Sequence, residues 1–252
     1  MFSLPQIPDD RKRKERDDAK YVGDTPVISV SEDNETLEPL PRFCYPGHDP
    51  ELDKGELLYA VLEAARKYDM EEIAEKVSTQ FVKYAEKYPF RLFALASSRC
   101  WTEEVKMAAK ASLLYPVQTK YLEELDKVTV GDFFRLQDHH LRCSTAACSP
   151  IESPVGATYS LSLTWLDAHH WVWFTCPHTL SQQVRIGTGN LFASKWWVDG
   201  VRTMLNELRI RPRGATVTHP KIISGMALMA MDMCSCSDSI YEHLTSFTEL
   251  FC

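Results

Sequence analysis

The sequence has no apolar run of the roughly eighteen to twenty residues that a bilayer-crossing helix needs. Its opening, MFSLPQIPDD (Met1–Asp10), lacks the continuous apolar core and small-residue cleavage site of a secretory leader. The expected location is therefore intracellular, in cytoplasm or nucleus, with no membrane partner. Positive charge is in deficit, with 28 Lys and Arg against 35 Asp and Glu and a formal net charge of −7. Such a chain has no concentrated positive field to neutralise phosphates, which excludes general nucleic-acid binding. The P-loop, the G-x-G-x-x-G turn and the G-x-S-x-G elbow are all missing. Neither histidine pair, His139–His140 or His169–His170, has the H-E-x-x-H spacing, and adjacent histidines on one helix point about 100° apart. Both pairs read as surface or packing residues. No catalytic pocket is legible, and the chain reads as non-enzymatic.

What is present is a core-forming chain: 252 residues with 44% hydrophobic content suffice for one large or two modest domains. Residues 9–24 mix both charges without a hydrophobic period and read as a solvated loop, in which Arg11–Lys14 could serve as a nuclear-import patch. Thr25–Val30 alternates like a strand. Leu37, Leu40 and Phe43 then fall at helical spacing, but Pro39 and Pro41 predict a short or distorted helix. Asp53 with Glu56 predicts the start of a helix whose face is Leu57, Leu58, Val61, Leu62 and Ala65. Asp69 with Glu72 predicts the next, carrying Ile73, Val77, Phe81 and Tyr84 as far as Pro89.

Further helices follow, one capped by Thr102 and ended by Pro116, one through YLEELDKV, and one capped by Thr129 with Asp132. Their short connections predict antiparallel helix pairs. SLSLTWLDAHHWVWFTC (Ser160–Cys176) is rich in aromatic and β-favouring residues and fits either strand or helix. Helical pattern returns after Ser194, read as a cap, and persists through Met226, Met229, Met231 and Met233. Trp165, Trp171, Trp173, Trp196 and Trp197 read first as core and second as a binding groove.

The eight cysteines stand at 44, 100, 143, 148, 176, 234, 236 and 252, and in a reducing compartment they are thiols, not a disulfide framework. Cys143, Cys176, His178, Cys234 and Cys236 have the ligand types of structural zinc. The pairs Cys176–Pro177–His178 and Cys234–Ser235–Cys236 are one residue tighter than the usual knuckle, so ordinary buried cysteines are the competing reading. A nucleophile built on Cys176 and His178 would need an imidazole turned toward the sulfur, which neighbours separated by one proline rarely achieve.

The run VISVSEDNETLEPLPRFCYPG, followed by ELLYAVLEAARKYDMEEIAEKV, resembles the second half of a BTB/POZ domain. The spacing from Tyr45 to Ala65, Lys67, Tyr68 and Met70 carries the likeness. EKYPFRLFALA, AAKASLLYP, WVWFTC and KWWVDGV extend it to fungal, mushroom-type BTB proteins with a helical C-terminal extension.

The resemblance implies a mainly α fold: a partial BTB/POZ domain over 1–84 with one remaining strand, then a helical extension over 85–252, with a break near 150–190. It implies that MFSLPQ is an internal joint, that the family's first strands and helices are missing, and that homodimerisation is doubtful. It implies protein–protein interaction, in narrower form as a substrate adaptor for a cullin-type ubiquitin ligase. The partner-facing residues by position in the motif are Tyr45, His48, Asp49, Tyr68 and Met70. Tyr45 and Tyr68 also read as ordinary half-buried core aromatics. The alternative is a zinc-stabilised structural or nuclear regulatory protein.

Overall fold

The computed structural model describes residues 21–22, 25–117, 121–155, 158–167, 170–177, 180–186, 189–232 and 237–250. The chain divides into two compact units, Met1–Ser78 and Thr79–Cys252. It is mostly helical, with two small sheets. No helix among the described residues is long and apolar enough to cross a membrane.

In the first unit, β1 (Tyr21–Val22) pairs antiparallel with β2 (Thr25–Pro26). The strand expected over Thr25–Val30 stops at Pro26: Val27, Ile28 and Val30 are exposed, and among the described residues no neighbouring strand extends the ladder. The prolines break the following helix into α1 (Asn34–Leu37) and α2 (Pro39–Cys44). Asp33 Oδ1 caps the first by accepting from Thr36 N at 2.8 Å. Pro39 opens the second, where a missing N–H costs nothing. Leu40 and Phe43 are buried.

In α3 (Gly55–Lys67), Leu58, Val61, Leu62 and Ala65 form the buried face that their spacing predicts. Its cap is not Asp53; Lys54 occupies that position without a side-chain capping bond, its ammonium pairing instead with Glu35 at 3.0 Å. Helix α4 (Glu71–Lys87) begins in the first unit and ends in the second, and the boundary expected at residue 84 falls within it.

Asp69 does not cap α4. It closes α3 with a left-handed φ of 53°. Met70 N donates to Ala65 O at 2.8 Å and Asp69 N to Arg66 O at 3.3 Å, the pair of bonds of a Schellman cap. The device recurs after α5 (Pro89–Ser98). There Cys100 takes φ 59°, Trp101 N donates to Ala96 O and Cys100 N to Ser97 O, both at 3.1 Å. Neither position holds the glycine that this conformation favours.

In the second unit, α5 packs on α6 (Thr102–Ser112). Thr102 is the first helical residue; Trp101 stands at the cap without a side-chain capping bond. The helix expected through YLEELDKV is a 3₁₀ turn, Glu123–Lys127. Helix α7 (Val130–Cys148) begins as its sequence predicts: Thr129 Oγ1 accepts from Asp132 N at 3.0 Å and donates to Asp132 Oδ2 at 2.6 Å.

The extension of antiparallel helix pairs is interrupted, in the region where a break near 150–190 is expected, by a four-stranded sheet, β3 (Glu152–Val155), β4 (Thr158–Leu163), β5 (Ser181–Ile186) and β6 (Gly189–Ser194), in that order. The outer pairs are antiparallel and the central pair, β4 with β5, is parallel. The crossover contains one helical turn, α8 (Val172–Thr175). Each strand is at most six residues long, too short to imprint a firm period of two. Helices α9 (Lys195–Ile210), α10 (Gly214–Val217), α11 (Pro220–Met231) and α12 (Ser237–Glu249) complete the unit.

One core joins the sheet, α8, α9, α11 and α12, with Trp173, Trp196, Trp197 and Phe247 at its centre. The tryptophans are thus core, except Trp165, which is 41% exposed. Of the methionines, Met226 is buried and Met231 exposed, and Met233 lies outside the described residues. Helices α9 and α11 meet closely at Gly200, where a Cβ would come within 2.8 Å of Met226 Cγ. Ser194 does not cap α9; its Oγ donates to Trp173 O at 3.1 Å.

Relieving the two left-handed caps stabilises the protein. Asp69→Gly and Cys100→Gly each add about 0.5–1 kcal/mol, the αL relief less the greater freedom of unfolded glycine, measured by denaturant unfolding. Asp69→Ala, which lacks the local polar bonding that helps Asp tolerate αL, moves the midpoint the other way.

Candidate partner-binding surface

The five residues expected to face a partner fall on two features of the first unit. Tyr45, His48 and Asp49 lie on the exposed loop after α2, and Tyr45 is 73% exposed. The reading of Tyr45 as a half-buried core aromatic is therefore corrected: Phe43, in the last turn of α2, takes the core position, and the chain leaves the helix after Cys44. The loop is anchored at both ends, by buried Leu40 and Phe43 before it and by Pro50 and Leu52 after it. Lys76 of α4 binds it in the middle, donating to Asp49 Oδ1 at 2.8 Å and to Phe43 O at 3.4 Å. Both ends of that ion pair are 43% exposed, so it orients the loop more than it stabilises it.

Tyr68 and Met70 lie at the end of α3 and are half-buried. Tyr68 belongs to a polar knot that sequence reasoning missed. Its hydroxyl donates to Glu32 Oε2 at 2.6 Å, while Lys67 Nζ donates to Glu32 Oε1 at 2.6 Å and to Ser31 Oγ at 2.8 Å. The bonds from Lys67 and then Tyr68 hold the Glu32 carboxyl at about 2. Reciprocally, the bond to Glu32 raises Lys67 and Tyr68 above their ordinary values. The contacts span 35 and 36 residues, and no local pattern announces such pairing. The knot fixes the segment ahead of α1 to the end of α3. No hydrogen bond or ion pair among the described residues links it to the Tyr45 loop.

Comparison with family models, with curated proteins and with solved structures finds no match for this chain. The surface is therefore read from its own geometry.

Of the five candidate zinc ligands, His178, Cys234 and Cys236 lie outside the described residues. Cys143 and Cys176 are half-buried and not in a disulfide. Cys143 Sγ stands 3.8 Å from the His139 ring nitrogens, one turn away on α7. Among the described residues no three His, Cys, Asp or Glu side chains gather as a metal site.

A serine–histidine contact is present in the second unit and was not legible in the sequence, because its members are 28 residues apart. Ser112 Oγ lies 2.8 Å from His140 Nε2, and both are buried, at 0% and 5% exposure. The single hydroxyl proton is used at 2.7 Å on Ala109 O, so the ring is the donor in the contact. A serine whose proton is held by a carbonyl, facing a ring that donates, has no base to activate it. The pair is a buried lock between α6 and α7, with Phe90 stacked on the ring at 6.5 Å.

Burial first, and the neighbouring His139 second, push His140 down to about 4 from its ordinary 6.5. A histidine kept neutral by the fold contributes stability that is complete above the unfolded value and is lost as pH falls toward the folded one. The prediction is a loss of about 3 kcal/mol between roughly pH 6.5 and pH 4, seen as a falling unfolding midpoint. In His140→Gln the same interval becomes flatter by that amount.

Proposed function

We propose that the chain is a non-enzymatic protein-interaction module of the BTB/POZ type, and in its narrower form an adaptor that presents substrates to a cullin-type ubiquitin ligase. The observation that supports this is Tyr45, a large amphipathic aromatic held in solvent on a loop anchored by buried residues at both ends and by Lys76 on Asp49. Tyr45 makes no hydrogen bond, ion pair or ring contact among the described residues. Aromatic side chains of this kind carry a disproportionate share of interface energy, at low entropic cost when the backbone beneath them is already ordered. His48 and Asp49 supply the polar rim on the same loop, and half-buried Met70 an adaptable apolar contact. The polar knot at Glu32, Lys67 and Tyr68 keeps the neighbouring helix ends in register.

The test is affinity capture by a purified cullin scaffold. Wild type is retained saturably, and Tyr45→Ala with Met70→Ala weakens retention at least about tenfold, as loss of an interface anchor should. Circular dichroism of the double variant checks that it is folded, which exposed Tyr45 leads us to expect. Equal retention of both proteins, or none of the wild type, overturns the adaptor reading.

A further inference from the structure

The second unit contains a cavity of about 340 Å³, lined among others by Pro150, Trp165, Leu208, Pro212, Arg213 and Val217. Its walls are aliphatic and proline, with one aromatic face. That face is fixed, because Trp165 Nε1 donates to Pro150 O at 2.7 Å and cannot turn without breaking the bond. The indole remains 41% exposed. The hollow is half open to solvent and mostly apolar, and an apolar hollow with one placed polar group is a build that small-molecule sites share.

The polar group is Arg213, which is half-buried. The other arginines at this end of α9 are neutralised: Arg209 forks onto both oxygens of Glu152 at 2.7 and 2.6 Å, and Arg211 pairs with Glu207. Arg213 has no ion pair, and no hydrogen bond from its side chain, among the described residues. A guanidinium partly withdrawn from water beside apolar walls, with no carboxylate of its own, complements an anion brought in by a ligand.

We propose that this cavity binds a small monocarboxylate with an apolar, aryl-sized body. The carboxylate takes the planar donor fork of Arg213, and the body lies against Trp165, Leu208, Pro212 and Val217. A monoanion fits better than a phosphate, because the cavity lining offers one cation and no second one to offset a dianion's desolvation. The volume is about eleven times a water's share of liquid, roughly 30 Å³, enough for a phenyl ring with a short chain. The site is independent of the Tyr45 loop, and its test can succeed or fail without touching the interaction reading.

The probe is 3-phenylpropionate, titrated against the full chain by calorimetry and tryptophan fluorescence, with 3-phenylpropanamide and acetate as controls. The acid binds at least about tenfold tighter than the uncharged amide, as a charge-assisted fork predicts, and acetate, lacking the body, does not saturate. Arg213→Gln brings acid and amide within about twofold of each other. Trp165→Phe keeps the preference for the acid but loses the fluorescence change. A tetrapeptide ending in a free phenylalanine carboxylate separates the two sources of this chemistry. Tighter binding than the free acid assigns a chain terminus, weaker binding assigns a metabolite-sized acid, and both uphold the pocket. Equal binding of acid and amide by wild type, or no saturable binding of either, overturns the proposal.

Discussion

Trp173 lies between two other indoles, stacked on Trp171 at 4.9 Å and on Trp197 at 5.2 Å. The second unit depends on this arrangement. Trp196 meets the central ring edge-on at 6.3 Å and Phe247 at 5.5 Å. The stack brings together the single turn α8, the start of α9 and the last helix, α12. Two polar contacts pin it: Ser194 Oγ at the end of β6 donates to Trp173 O, and His243 Nδ1 of α12 accepts from Val172 N at 3.0 Å. Each buried indole removes roughly 150–250 Å² from water, worth about 4–6 kcal/mol at 25 cal/mol per Å². Against this, the Nε1–H groups of Trp173, Trp196 and Trp197 are buried without an acceptor among the described residues, at about 1–3 kcal/mol each. Burial exceeds the loss, and the cluster stands because of its area and ring geometry rather than its hydrogen bonds.

The same arrangement explains how a small sheet persists within a helical unit. Its strands are short, and among the described residues the central pair shares two register positions, Ser162 with Arg185 and Leu163 with Ile186. A sheet of this size needs a covering layer to be stable. The cover is α9, whose Trp196, Trp197, Val201, Met204, Leu205 and Leu208 make one buried stripe. Gly200 on that stripe lets Met226 of α11 reach the helix surface. At the far end of α9 stand Arg209, Arg211 and Arg213, and the cavity beside Arg213 opens there.

Much of the helical architecture was legible because each long helix carries its own periodic apolar stripe, as in Leu58, Val61, Leu62 and Ala65. Local signals that depend on neighbours in sequence also held: the break at Pro39 and the Thr129–Asp132 cap. Signals that tertiary contacts can outbid did not. Ser194 has a capping side chain, but a buried carbonyl of Trp173 claims it. Asp69 has the composition of a helix start, yet the chain uses it to end the helix before. The sheet was hidden because strands with two inward apolar residues, such as Val184 and Ile186, look like loop or helix in isolation. In the loop after α2, sequence placed Tyr45 at a helix end but could not decide between core and solvent. That choice depends on Phe43 filling the core position first. The Glu32 knot and the Ser112–His140 lock are long-range pairings with no periodic trace.

The claim that one aromatic stack makes the second unit cooperative is tested most directly by native-state hydrogen exchange in wild type and Trp173→Ala. If the stack is the common support, the slowest amides of β5, β6, α9 and α12 open with one shared free energy. In the variant all four fall together by about 3–5 kcal/mol, the usual cost of deleting a buried aromatic. A variant in which α8 and α12 lose protection while β5, β6 and α9 keep theirs would contradict it.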